Sequence, residues 1–123
     1  MSLEFEGLTE GIIGAAIEVH TQLGPGFMES IYERALVLEL RKRGLRVASQ
    51  VEIVVRYHDV EVGLHRLDLM VEETIVVELK AIKAFEDVHF AIVRSYLKAS
   101  GLQHGLLLNF AKPTLDIKRV IAH

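Results

Sequence analysis

An aspartate, a glutamate and a lysine interrupt two short apolar runs, Leu67-Asp68-Leu69-Met70-Val71 and Ile75-Val76-Val77-Glu78-Leu79-Lys80. Side chains of a strand alternate between its faces, so Glu78 and Lys80 point to one side and Val77 and Leu79 to the other. A lone carboxylate cannot be buried in such a run at tolerable cost. A divalent cation, a lysine partner or an open cleft must accompany it. Two carboxylates brought together suit Mg²⁺ or Mn²⁺, which prefer hard oxygen donors. Such an ion polarises a phosphoryl oxygen and lowers the pKa of a bound water. A lysine two residues beyond one ligand can position that water, deprotonate it or offset charge in the transition state. Asp68, Glu78 and Lys80 are therefore the candidate catalytic residues, with Asp68 and Glu78 also the candidate metal ligands.

The chemistry demands a particular strand pairing. A turn over Glu72-Glu73-Thr74 pairs Val71 with Ile75 and sets Asp68 opposite Glu78 on a shared face. A two-residue turn at Glu72-Glu73 slips the register by one and sends Asp68 to the other face. An ordinary solvent-facing hairpin tolerates either pairing.

A third carboxylate from a helix would complete the site. Glu29 and Glu33 lie four apart on one helical face and Glu18 sits on an earlier helix; the spacing does not choose among them. The histidines form no HExxH pattern and no tight ligand cluster. His20 reads as a packing residue or a partner for the helix C-terminus, and His89 as a candidate for the cleft wall. Gly24-Pro25-Gly26 lacks the lysine-serine end of a phosphate-binding loop and reads as a rigid turn. Asn109 and Lys112 stand where a parallel strand ends, a usual place for ligand-facing groups. Arg66, two before Asp68, contacts phosphate or pairs with a neighbouring carboxylate.

These residues need a scaffold, and the patterning supplies one. Apolar residues recur with helical period from Leu8 to Leu23, with Thr9 and Glu10 as the N-terminal signal. After the Gly-Pro-Gly turn, a second helix is predicted from Met28 to Arg43, with Ile31, Ala35 and Leu38 buried and Tyr32, Leu36 and Leu40 partly so. Gly44 ends it, and Arg41-Lys42-Arg43 complements its dipole. Strands follow over Val47–Tyr57, Val60–Val71 and Ile75–Ile82, with a turn at His58-Asp59 and a bulge at Gly63. A third helix runs from Phe85 or Glu86 to Ala99 on Val88, Ile92, Val93 and Tyr96. Gly105–Phe110 is then a strand parallel to the Glu78 strand, and Leu115–Ile121 an edge strand. The expected fold is α/β, one small domain over residues 1–123 with a mixed central sheet flanked by helices.

Bulk properties narrow the function. At 123 residues the chain can bury a core without staples, and it holds no cysteine for a disulfide or thiolate metal site. No apolar run reaches the length of a membrane span and no signal peptide is visible, so the expected compartment is the cytoplasm. The net charge of −3 argues against a broad nonspecific nucleic-acid surface, though a local basic patch or a cation-holding site is compatible with it.

Gly14-Ala15-Ala16-Ile17-Glu18-Val19-His20, Leu23 through Glu33, Arg66-Leu67-Asp68, Val77-Glu78-Leu79-Lys80-Ala81, Tyr96 through Gly101 and Gly105 through Phe110 together resemble the GxxExxxR protein family. That set of small bacterial proteins in turn resembles the PD-(D/E)XK nuclease superfamily. The resemblance implies a restriction-endonuclease-like α-β-β-β-α-β core, with Asp68 as the motif aspartate and Glu78-Leu79-Lys80 as the (D/E)XK element. It implies an extra ligand from Glu33, Glu29 or Glu18, of which Glu33 is taken first, and Mg²⁺ or Mn²⁺ as cofactor. The implied activity is hydrolysis of nucleic-acid phosphodiesters, DNA ahead of RNA; the small size of the chain and its apolar content add the expectation of a homodimer. The alternative is a noncatalytic homodimer that keeps the fold and binds nucleic acid or protein. Leu67 replaces the nominal proline before the aspartate. Ile92 and Ser95 stand where relatives often carry a glutamine and an asparagine, which implies reduced activity or substrate binding.

Overall fold

The computed structural model describes residues 5–122. Its elements are α1 (Glu6–Leu23), α2 (Glu29–Lys42), β1 (Val47–Tyr57), β2 (Val60–Val71), β3 (Ile75–Lys80), α3 (Asp87–Ser100), β4 (His104–Asn109) and β5 (Asp116–Ile121). The strands form one sheet in chain order, antiparallel except for the β3–β4 pair, which the α3 crossover makes parallel. The fold is thus a small α/β domain with a mixed sheet, as the patterning predicts. No helix among the described residues is long and apolar enough to cross a membrane.

Apolar layers cover both faces. On one, Ile12, Ala16, Leu36 and Leu40 pack with Val77, Leu79, Leu106 and Leu108. On the other, Val93 and Leu97 of α3 pack with Leu67, Val76, Leu107 and Val120. Helix α3 approaches β4 closely at Gly105, where an added Cβ would lie 2.8 Å from Val93 Cγ1.

Several boundaries and buried stripes differ from expectation. Thr9 does not cap α1; it lies inside the helix and its hydroxyl donates to Phe5 O at 2.8 Å. In α2 the buried residues are Tyr32, Leu36 and Leu40, whereas Ile31 and Leu38 are exposed. Tyr32 sets that rotation. Its ring stacks on Phe110, and its hydroxyl donates to Gly24 O at 2.6 Å and accepts from Phe27 N at 3.1 Å. In α3 Val93 is buried as expected, but Val88 and Ile92 are exposed and Leu97 takes their place. Strand β3 ends at Lys80, two residues early, because the Ile82 backbone bonds the Asn109 side chain instead of a neighbouring strand.

The β2–β3 turn has the register the site requires: Val71 pairs with Ile75 and Leu69 with Val77. Thr74 N donates to Val71 O at 3.0 Å, and both Glu72 and Glu73 adopt left-handed backbone, with φ of 53° and 52°. Glu72 is compensated by Arg46, whose N–H donates to its carboxylate at 2.6 Å and whose guanidinium pairs with it at 3.2 Å. Glu73 is exposed and has no such partner among the described residues. Glu73→Gly should therefore raise stability by roughly 0.5–1 kcal/mol, by removing left-handed strain. Urea melts check this: an unchanged or lowered midpoint contradicts strain at that turn.

Candidate active site

The sheet forks at Asp68. The β2–β3 ladder stops at Leu69–Val77, and beyond it each strand's carboxylate bonds the other strand's backbone. Asp68 N donates to Glu78 Oε1 at 2.8 Å, and Leu79 N donates to Asp68 Oδ2 at 2.9 Å. Two N–H groups that a diverging ladder would orphan are thereby satisfied by side chains. The remaining oxygen of each acid accepts no backbone N–H.

The neighbouring strand is distorted at the same level. Gln50 lies opposite Asp68 but is left out of the β1–β2 ladder, with φ of 52°. Both strands exchange faces there. Val47, Leu69 and Val71 pack in the α1/α2 layer, whereas Val51, Ile53 and Leu67 pack in the α3 layer. A left-handed residue in a strand turns the side chains on either side of it toward different faces. Here it places Asp68 at the crossover between the two faces rather than on one of them. A second irregularity lies farther out, where Val62 is the extra residue between Glu61 and Gly63, next to the expected bulge glycine.

Asp68 opens into a cleft of about 780 Å³ on the α2 side, whose wall includes Glu29, Glu33, Arg34, Gln50 and Ala81 but not Glu78 or Lys80. Glu29 Oε2 accepts from Ala81 N at 3.1 Å, tying the start of α2 to the end of β3. Glu33 accepts from the Gln50 amide at 3.0 Å on both oxygens. Glu78 and Lys80 lie on the α3 side of β3, since Val77 and Leu79 occupy the α1/α2 side. Lys80 forms no ion pair within 4.0 Å among the described residues. Tyr96 of α3 faces the same acids. Its phenol is raised first by burial and then by the charges of Glu78 and Asp68. His65 holds that ring edge-on at 4.7 Å, and Ser95 Oγ lies 3.2 Å from His65 Nε2.

The electrostatics are those of crowded acids. Burial and then the Asp68 charge push Glu78 up to about 8, against the Asp68 N–H and the Lys80 charge. Burial also raises Asp68, with Glu29 adding to it and the Leu79 N–H and Lys80 opposing. Glu33 is raised by burial, then by Asp68 and Glu29, against the Gln50 hydrogen bond. Near neutral pH the Asp68–Glu78 pair therefore favours holding a proton in the absence of a cation.

The structure thus joins Asp68 to Glu78 and puts Glu33 and Glu29 in the adjoining cleft. Glu18 is elsewhere, bonded to Gln22 on α1. Among the described residues no three histidine, aspartate or glutamate side chains converge closely enough to hold an ion as they stand. His89 does not line the cleft; its Nδ1 accepts from Glu86 N at 2.8 Å in a capping box. His20 is buried beside Phe110 and bonds Lys112 O at 2.8 Å. Asn109 is not ligand-facing: it is fully buried, and its amide is used by Ile82 and Ala111. Arg66 pairs with Glu52 at 3.1 Å. Gln50 is a site residue that sequence reasoning misses. Its only signal is a polar Ser49-Gln50 step in an otherwise apolar strand.

The raised acids make a linkage prediction. Between the ordinary carboxyl value of 4.5 and about 8, the folded protein holds a proton on Glu78 that the unfolded chain releases. Its contribution to stability is complete below 4.5 and is lost as pH rises through 8. Metal-free thermal melts should show wild type falling over that window and Glu78→Gln much flatter. Parallel profiles for the two proteins would contradict a proton held there.

The PD-(D/E)XK nuclease superfamily model matches residues 6–120. A crystal structure of SSO0001 superposes with a TM-score of 0.57 at 14% identity, covering 98% of this chain and 60% of that one. The chain thus spans less than two thirds of that protein, and the likeness shows the fold alone. Among curated proteins none matches this sequence. With nearly the whole chain matched by the family model, this protein belongs to the PD-(D/E)XK nuclease superfamily.

Proposed function

We propose that this protein is a divalent-metal-dependent nuclease that hydrolyses phosphodiester bonds, with DNA as the first substrate class. The observation that carries the reading is the Asp68–Glu78 pair, two acids at a strand fork whose pKa values are both driven up by burial and then by neighbouring carboxylate charge. Members of the superfamily generally use divalent metals, and these residues fit one. They offer hard oxygens, one on each acid free of a backbone N–H, and a proton where a cation can take its place. Mg²⁺ commonly binds through only one or two protein carboxylates plus waters and substrate phosphate, so a third converged acid is not required.

Asp68 and Glu78 would hold Mg²⁺ or Mn²⁺. When bound, the ion supplies Lewis-acid polarisation of the phosphoryl oxygen and a water of lowered pKa. Lys80 would position the attacking water, and its ammonium charge would offset the negative charge gathering on the phosphoryl oxygens. Glu33, released from Gln50, adds an outer carboxylate from the cleft. Tyr96 presents a phenol to the acids from the helix where Ile92 and Ser95 replace the polar side chains of relatives. Two copies act together, because one small domain presents little surface to a duplex.

Two observations favour a noncatalytic nucleic-acid- or protein-binding homodimer instead. Both oxygens of Glu33 are occupied by Gln50, and the acids do not close into a three-ligand group among the described residues. Metal titration and cleavage of single-stranded, duplex and branched DNA separate the two readings. Lys80→Ala should keep metal affinity within a few-fold and lower cleavage roughly 10²-fold or more. Glu78→Ala should lose both. Metal binding with no cleavage of any substrate would select the binding protein; equal cleavage by wild type and Lys80→Ala would assign the activity to another site.

A further inference from the structure

The outer half of the β1–β2 hairpin leaves a strand edge without a partner. Strand β1 is the edge of the sheet, and from Val51 to Tyr57 it reads Val-Glu-Ile-Val-Val-Arg-Tyr, with no proline, lysine or glycine. Proteins ordinarily protect such an edge with proline or charged side chains, above all lysine, with a bulge or with a covering element; here the only charges are Glu52 and Arg56, which are of opposite sign. The hairpin closes through two left-handed residues, His58 and Asp59, with Tyr57 opposite Val60. In a two-residue turn of that kind the flanking residues form a hydrogen-bonded pair. By alternation Val55, Ile53 and Val51 then bond β2, while the backbone groups of Arg56, Val54 and Glu52 point out from the sheet. None of these outward groups is bonded by another element among the described residues.

We infer that this edge pairs antiparallel with the same edge of a second copy, about a two-fold axis at Val54. The register follows from charge and hydrogen bonding together. Centred on Val54, Glu52 of each copy faces Arg56 of the other, Ile53 faces Val55, and all three outward-facing residues meet outward-facing partners. Centring on Ile53 or Val55 sets the charged residues against apolar or uncharged ones. Centring on Glu52 or Arg56 sets like charges face to face, which is unfavourable. Arg56 has no ion pair within 4.0 Å among the described residues, so its charge is available for the second copy. Leu64, the neighbour of Val54 on β2, is 56% exposed. Pairing would join Leu64 and Val54 of each copy into one apolar row across the seam.

This rests on the two-copy reading above and says which surface joins the copies. The resulting sheet would run through both molecules, with both α3 helices on one face. Asp68 lies opposite Gln50, four residues from the axis, so the two acid pairs would stand about 30 Å apart by strand geometry. Two cleavage sites at that spacing suit a substrate engaged at two points, such as a duplex or branched nucleic acid.

Charge reversal and crosslinking test the pairing in the full chain. Sedimentation velocity across concentrations should show a wild-type dimer. Arg56→Glu should raise its dissociation constant by about tenfold or more, and the Glu52→Arg/Arg56→Glu double variant should recover most of the loss. Val54→Cys introduces the only cysteine in the chain. Facing Cα atoms of a hydrogen-bonded pair lie about 5.5 Å apart, inside disulfide range, so mild oxidation should give a covalent dimer. Leu64→Cys, one strand removed, should not crosslink. A wild-type protein that stays monomeric throughout overturns both the pairing and the two-copy reading. A dimer indifferent to Arg56→Glu and uncrosslinked by Val54→Cys overturns this interface alone.

Discussion

Everything specific to this molecule depends on one exchange of hydrogen bonds at the end of the β2–β3 ladder. Where the strands part, Glu78 takes the Asp68 N–H and Asp68 takes the Leu79 N–H. A carboxylate in mid-strand is ordinarily a liability, because burying it without a partner costs several kcal/mol or more. Here the backbone supplies the partners, since the fork itself leaves N–H groups in need of acceptors. The acids hold the fork open and the fork holds the acids in place.

The surrounding structure carries the strain of this arrangement. Gln50 accepts a left-handed backbone worth about 1–2 kcal/mol of strain. In return, β1 and β2 exchange faces beside the site, and the Gln50 amide occupies Glu33. Glu29 and Asn109 fasten the chain just beyond Lys80 from opposite sides, through Ala81 and Ile82. Each is a side chain doing what a neighbouring strand would do if the sheet continued. A concentration of strain and displaced ladder bonds is expected where a scaffold has been opened for chemistry. The raised acids are the electrostatic side of the same arrangement, since burial and neighbouring carboxylate charge disfavour their ionised forms.

Much of this is legible in the residues. The helix and strand order and the parallel β3–β4 pair follow from apolar period, whereas the Val71–Ile75 register is one of two that the turn residues allow and the one that the Asp68–Glu78 chemistry demands. The pairing of Asp68 with Glu78 follows from that register. The exchange of faces does not. Leu67 and Leu69 are both apolar and two apart, so they read as one stripe, yet they belong to opposite layers. Hydrophobicity cannot reveal such a crossover when both sheet faces are covered. Asn109 misleads for a related reason. Its position at a parallel strand's end is common to ligand-binding residues, but its amide is consumed by backbone groups that only the tertiary fold brings near. The α2 stripe is hard to place from its residues because Tyr32, polar at one end, is what anchors the helix. Tyr96 reads as packing and is also that, though its phenol lies close enough to feel both acids.

The central claim is that the forked carboxylate pair is a divalent-cation site. Anomalous diffraction from crystals soaked in Mn²⁺ addresses it without relying on turnover. A manganese peak coordinated by one oxygen of Asp68 and one of Glu78 is expected, absent from Asp68→Asn crystals soaked in the same way. Manganese bound elsewhere, or an undisturbed Asp68–Glu78 pair at saturating metal, would contradict it.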